Sequence, residues 1–241
     1  MNKLQGKTAY ITGGSKGIGF GIAEKLMEEG VNVIITSRSQ EAAADAAQVL
    51  NEKDLPGKAH GVAADVRNLT AQEKAVADAR HHFGPVDIVV ANAGVGHFAP
   101  IDELTEEQWQ QTIDINLTGV FNTVKASLDD LKETKGYLLT IASLAGTNFF
   151  AQGAAYNASK FGLVGFTQAV MLDVRHAGVK VSTIMPGSVS TFFNGRTPSP
   201  EDAWKIQSED IGQIVVDLLK MPARTLPSKV EVRPSMPPVK G

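Results

Sequence analysis

The sequence predicts one α/β domain, a doubly wound, seven-stranded parallel sheet with helices on both faces. Three observations lead there. Short apolar, β-branched runs alternate with longer stretches of helical pattern. The runs are continuous rather than alternating in polarity, as strands covered on both faces are. The length of 241 residues suits one large α/β domain, and residues 1–241 show no repeat or low-complexity linker.

The first strand is Thr8–Thr12, and the helix over 17–29 ends at Gly30, a residue suited to the position just past a helix. Val31–Thr36 and a helix over 39–53 follow, then Ala59–Ala63 and a helix over 70–83. Gly84-Pro85 stops that helix before Val86–Ala91. Thr105, with acids around it, opens a helix over 105–131, since a hydroxyl caps and acids complement a helix start. Tyr137–Ile141 precedes a helix over 157–176, which Gly178 closes. Val179–Met185, a helix over 209–219 and Val230–Val232 complete the pattern. The proline-rich Thr197–Pro200 and Pro234–Pro238 read as a surface loop and a tail.

Composition removes several chemistries. Hydrophobic residues make up 43% and charged residues 20%, enough apolar content for a sizeable core and too much for general disorder. A net charge of −3, from 23 basic and 26 acidic residues, gives no basic excess for a nucleic-acid or membrane partner. With no cysteine there is no disulfide, thiolate nucleophile or Cys-ligated metal, which fits a reducing cytosol. The polar start, Met1 to Lys7, lacks the apolar core of a secretory leader, and no window approaches a membrane span. The expectation is a cytoplasmic protein.

Between the first strand and first helix lies Thr12-Gly13-Gly14-Ser15-Lys16-Gly17-Ile18-Gly19. Glycines there allow close backbone approach, and the free amides of a helix start favour phosphate. The spacing Gly-x-x-x-Gly-x-Gly differs from the usual dinucleotide fingerprint, and a ligand-free turn is the alternative. The second strand leads into Ser37-Arg38, where a carboxylate would be expected for a free ribose. Arg38 offers a planar fork for a 2′-phosphate and Lys16 a second positive charge, so the expected cofactor is NADP(H). A solvated loop cation is the alternative for Arg38.

The ordered set Thr12–Gly19, Asp65-Val66, Ala91-Asn92-Ala93-Gly94, Asn116, Ser143, Tyr156-Asn157-Ala158-Ser159-Lys160 and Pro186-Gly187 resembles the short-chain dehydrogenases/reductases over nearly the whole chain. The resemblance implies a Rossmann-like domain that moves hydride between nicotinamide and a carbonyl or alcohol. It implies Tyr156 as general acid and base and Lys160 as holder of the nicotinamide ribose. Ser143 would polarise the substrate oxygen, and Asn116 would tie Lys160 to a proton-relay water. For cofactor contacts it implies Gly13, Ser15, Lys16, Gly17, Ile18 and Gly19 at the phosphates and Ser37 and Arg38 at the ribose. Asp65 and Val66 would lie at the adenine, Asn92, Ala93 and Gly94 along the adenosine and nicotinamide ribose, and Pro186, Gly187, Val189 and Thr191 at the carboxamide. Tyr156 and Lys160, four apart on a helix, share a face, and a nearby ammonium should lower the phenol's pKa.

Two departures stand out. Ala91 replaces an asparagine usual in the fourth-strand motif, which should cost one inter-strand hydrogen bond. The tail Glu231-Val232-Arg233-Pro234 lacks the glycine-rich ending usual in bacterial 3-oxoacyl carrier-protein reductases. It resembles carbonyl and hydroxy-acid reductases more closely. A 3-oxoacyl carrier-protein reductase of fatty-acid synthesis, or a non-catalytic NADP-binding regulator, is the alternative function.

His97 and Phe98 follow the fourth strand near the expected site. Phe149-Phe150 and Phe192-Phe193 could line an apolar pocket or enter the core, and 192–207 forms a short segment over the substrate. Adjacent His81-His82 diverge on a helix, so the histidines read as solvated and no metal site is expected. Lys125, Lys132, Lys135 and Arg175 would flank the opening if an acidic carrier docks there. Apolar residues on more than one face of the helices over 105–131 and 157–176 suggest a homodimer or homotetramer.

Overall fold

The computed structural model describes residues 4–237, so Met1 to Lys3 of the polar start and Pro238 of the tail lie outside the described residues. Seven parallel strands run β1 (Thr8–Thr12), β2 (Asn32–Ser37), β3 (Ala59–Ala63), β4 (Ile88–Ala91), β5 (Tyr137–Ile141), β6 (Lys180–Pro186) and β7 (Lys229–Val232). Their order is β3-β2-β1-β4-β5-β6-β7. Order reverses between β1 and β4, so the connections leaving these two strands go to opposite faces and open a crevice at their carboxyl ends.

Strand alternation divides the core in two. Ala9, Ile11, Val33 and Ile35 face α1 (Gly17–Glu28), α2 (Gln40–Asn51) and α7 (Ser208–Lys220). Tyr10, Ile34, Val89, Leu138 and Val181 face the other layer. That layer holds α3 (Leu69–Phe83), α5 (Gly119–Thr134) and α6 (Ala154–Val174), with the short α4 (Glu106–Ile113) leading into it. No helix among the described residues is long and apolar enough to cross a membrane.

The edge strand β3 is closed by side chains. Asn51 exchanges two hydrogen bonds of 2.9 Å with the backbone of Ala59, while Gln40 donates to Gly61 O and accepts from Ala63 N. Two amides from α2 thus take the place of a neighbouring strand, which leaves less unpaired backbone for another chain.

Most expected elements match to within two or three residues. The helix expected over 105–131 is instead interrupted. It begins as expected on Thr105, whose hydroxyl accepts from Gln108 N in a capping box. Residues Asp114–Thr118 then form a π-turn, with Gly119 N donating to Asp114 O, five residues back. Such wide turns occur mainly at functional sites, and this one carries Asn116. The last long helix begins at Ala154 rather than 157, which places Tyr156 inside its first turn.

Candidate active site

The crevice between β1 and β4 widens into a cavity of about 790 Å3 lined by the phosphate loop, the ends of β4, β5 and β6, and the segment after β6. Gly13 holds φ +64°, and a Cβ on Gly19 would lie 2.5 Å from Gly13 O and 2.6 Å from Asn92 Nδ2. The loop can therefore fold tightly only with glycine at these places. Lys16 caps α1 without a side-chain acceptor, so the first-turn amides beside Gly17 and Ile18 stay open to the cavity. A phosphate fits this cradle on charge and shape.

Asn92 serves the loop more than the ligand. Its Nδ2 donates at 3.0 Å to both Thr12 O and Gly13 O. The Thr12 hydroxyl in turn accepts from Asn92 N and Ala93 N. Threonine and Asn92 thus bridge the ends of β1 and β4 beside Ala91.

Where the adenine is expected, the Asp65 carboxylate is gripped by Arg67, with Nη2 at 2.6 Å. That contact, opposed by partial burial and aided by Arg38, holds the carboxyl below its usual range. Val66 is buried, and its carbonyl accepts from Asn122 Nδ2. The Arg38 guanidinium makes no hydrogen bond among the described residues, and Ser37 accepts from Ser39 N. Lys16 Nζ lies 5.7 Å from the centre of the Phe192 ring.

The reactive end is drier. Tyr156 and Lys160 face the cavity one helical turn apart, as their spacing requires. Lys160 is buried, its Nζ donating to Ile141 O at 3.0 Å, and burial pulls its pKa down to about 8. Burial raises the Tyr156 phenol above its ordinary value, with the Ser143 hydroxyl pulling the other way. The expected lowering by the ammonium is thus corrected. Lys160 Nζ lies 5.7 Å from the ring centre, and desolvation outweighs it. Ser143 Oγ accepts from Ala145 N, so this hydroxyl also supports its own loop.

Asn116 is wholly buried. Its Oδ1 accepts from Val95 N, while its Nδ2 donates to Val95 O and Ser159 Oγ. The π-turn therefore clamps the loop after β4 against α6. A Cβ on Gly94 would sit 3.4 Å from Asn116 Oδ1 and 3.7 Å from Lys160 Nζ, which places that glycine between the two.

Pro186, Gly187, Val189 and Thr191 line the same cavity. Val189 pairs with Ile206, and an ion pair joins Asp202 to Lys205, so the 192–207 segment is closed at its base. Phe98 and Phe193 lie 5.3 and 5.7 Å from the Tyr156 ring. Phe192 also lines the cavity, whereas Phe150 leans on Phe98 at its rim and Phe149 points to solvent, 86% exposed. None of the four phenylalanines enters the core.

His97 lines the cavity with Nε2 2.5 Å from Gln111 Oε1. Gln111, Asn122 and Arg67 carried no motif, and only a register linking α4, α5 and the β3–α3 connection could have found them. Three of the four scattered basic residues lie away from the opening. Lys132 and Lys135 end α5 before β5, and Arg175 ends α6 before β6, all at the opposite end of the sheet from Ser143 and Pro186.

The short chain dehydrogenase family profile matches residues 7–202. The chain belongs to the short-chain dehydrogenase/reductase family. As a member it is 38% identical over 189 residues to the D-beta-hydroxybutyrate dehydrogenase of Cupriavidus necator, covering 78% of this chain and 72% of that protein. It is 34% identical over 214 residues to a putative ketoacyl reductase of Streptomyces coelicolor, covering 87% and 81%. An alcohol dehydrogenase from the archaeon Thermococcus sibiricus, solved with 5-hydroxy-NADP, superposes with a TM-score of 0.88 at 31% identity, over 97% and 99% of the two chains.

The family fold here holds a buried cation. With a folded pKa of about 8 against an ordinary 10.5, the unfolded chain holds more protons between those values. Stability attributable to this lysine is therefore lowest below about pH 8 and recovers as pH rises towards 10.5. Lys160→Met should melt at or above the wild-type temperature at pH 7, and the gap should close as the pH rises through that window. A variant that melts lower at pH 7, with no trend in pH, would show that burial of the ammonium costs nothing.

Proposed function

We propose that this oxidoreductase is an NADPH-dependent carbonyl reductase acting on a ketone, an aldehyde or a 3-oxoacyl group, with Tyr156 as the proton donor. The observation that carries this reading is the Tyr156 phenol facing the cavity beside the Ser143 hydroxyl and one helical turn from the buried Lys160. When bound, NADPH supplies hydride to the carbonyl carbon. Tyr156 gives its proton to the carbonyl oxygen, and Ser143 holds that oxygen and polarises it. Lys160 donates to the nicotinamide ribose hydroxyls and steadies the phenolate left behind. Asn116 acts on Lys160 indirectly, by clamping the loop that carries Gly94 against α6.

Phe98 and Phe193 support an apolar group next to the carbonyl, and the pinned His97–Gln111 pair supplies one polar wall. Lys132, Lys135 and Arg175 lie at the far end of the sheet and would not meet a carrier docked at the cavity mouth, which favours a small carbonyl. The same groups run the reverse reaction on a hydroxy acid or alcohol. A non-catalytic regulator would not require a tyrosine and a lysine buried one turn apart in the cavity wall.

Loss of NADPH absorbance with a panel of ketones, aldehydes and 3-oxoacyl thioesters tests the activity. Tyr156→Phe should lower turnover by about 10²–10⁴-fold while NADPH still binds, because the ring is kept and only the proton is lost. Turnover near wild type in that variant would overturn the mechanism.

Arg38 supports the choice of NADPH. Arg67 already neutralises Asp65, which leaves the Arg38 fork available for a 2′-phosphate. A hydrogen bond to a charged group contributes roughly 1.5–3 kcal/mol, equivalent to about ten- to a hundred-fold in affinity. Arg38→Ala should raise KM for NADPH by that factor and leave NADH nearly unchanged. Equal weakening of both cofactors would mean that Arg38 stacks on the adenine instead.

We propose further that the chain assembles as a homodimer or homotetramer through α5 and α6. Phe121 and Phe161 are each nearly half exposed, Leu172 is half exposed, and Phe121 meets Phe166 edge-on at 6.4 Å. An apolar strip on two adjacent helices suits a second copy. Light scattering at micromolar concentration should return at least twice the 25.6 kDa chain mass. A monomer would refute the assembly.

A further inference from the structure

At the outer edge of the sheet, away from the cavity, three metal-binding side chains converge. His60 stands on β3, while Asp78 and His82 stand one turn apart on α3. His60 Nε2 lies 3.3 Å from Asp78 Oδ2, and His82 Nε2 lies 3.6 Å from Asp78 Oδ1. All three ligand atoms fall within 4.8 Å of one another. Adjacent His81 diverges on the helix, so the pattern read from neighbours in sequence missed the partner across the strand.

Three features distinguish this cluster from a solvated ion pair. The nitrogens face the carboxylate within ion-pair range, yet neither approach makes a hydrogen bond among the described residues. The two imidazole rings lie 4.0 Å apart at 35°, so both rings meet the same carboxylate side by side. Zinc holds imidazole nitrogen and carboxylate oxygen at about 2.0–2.2 Å, so donors on one tetrahedral ion sit about 3.3–3.6 Å apart. The two nitrogen-to-carboxylate separations, 3.3 Å to Oδ2 and 3.6 Å to Oδ1, fall in that span, and the three donors together lie within 4.8 Å. Each side chain is just over a third exposed, so water can reach a fourth position.

We propose that His60, Asp78 and His82 bind one divalent transition-metal ion of the zinc, cobalt or nickel class. Two imidazoles and one carboxylate favour these ions over calcium or magnesium, which take all-oxygen shells. The ion would join the edge strand to α3. Those two elements also bracket the connection bearing Asp65 and Val66, so the site braces the adenine end without touching the cavity. Its role is structural, and it adds stability because it binds only the folded arrangement.

Tag-free protein stripped with a chelator and then titrated with Zn2+ in a calorimeter tests this, with Co2+ absorbance as a second reading. One ion per chain, a higher Tm with Zn2+, and cobalt bands of a four-coordinate site are expected. His82→Ala and Asp78→Asn should abolish all three signals, while His81→Ala should keep them. His82→Gln, which keeps most of the side-chain bulk, guards against misfolding, and NADPH binding verifies that each variant is folded. The proposal is overturned if wild-type protein shows no saturable binding at 100 µM Zn2+ or Co2+ (a concentration far above that required by the affinities of most protein zinc sites). Binding that survives in a folded His60→Ala/His82→Ala variant would also overturn it.

Discussion

Much of this structure depends on how the carboxyl ends of β1 and β4 are held together. Strand order reverses there, so no crossover bridges the gap and the backbone groups at the strand ends need other partners. The Thr12 hydroxyl accepts from two amides beyond β4, and the Asn92 carboxamide donates back to the carbonyls of Thr12 and Gly13 at the end of β1. These four bonds set the floor of the crevice. With the floor closed, Gly13 can turn and α1 can begin with its amides facing the cavity. A cradle for phosphate then follows from backbone geometry, with little need for cationic side chains.

The opposite wall is organised around burial. Asn116, Ser159 and Lys160 are polar groups with almost no exposure, and each is satisfied through a neighbour. The π-turn delivers Asn116 to the backbone of Val95, and Lys160 reaches the carbonyl of Ile141. Dehydration shifts the two titrating groups in opposite senses, keeping the phenol neutral and weakening the hold of the ammonium on its proton. Both shifts arise from the same exclusion of water. The cost is a buried charge in the core of α6, which stability alone would not select.

The outer edges of the molecule are finished differently. Asn51 and Gln40 complete the backbone of β3 from α2, and the His60–Asp78–His82 cluster lies on the other face of the same strand. Both bring side chains from helices to an edge strand that pairs on one side alone among the described residues. At the far edge β7 pairs, among the described residues, with β6 alone, and the chain after β6 returns over the cavity before reaching it.

Periodicity alone was enough to identify the strands. Thr8–Thr12 and Tyr137–Ile141 match residue for residue because both are buried along their whole length, and Ala59–Ala63, an edge strand with His60 part-exposed, matches as well. The glycine spacing and the Tyr156–Lys160 interval were equally legible, since each is a local requirement of backbone approach or of one helix face. Other features were decided only in three dimensions. The break at Asp114–Thr118 answers to Val95 and Ser159, which are distant in sequence. The rise of the Tyr156 pKa depends on what covers the ring, and the ammonium of Lys160 is drawn to a carbonyl of another strand. The grip of Arg67 on Asp65 frees Arg38, and the meeting of His60 with His82 joins a strand to a helix. The sequence by itself determined the order of the layers and the chemical groups available, because those follow from short-range pattern. Only the tertiary structure decided which groups meet and how dry they are, because burial and long-range contact are properties of the folded chain.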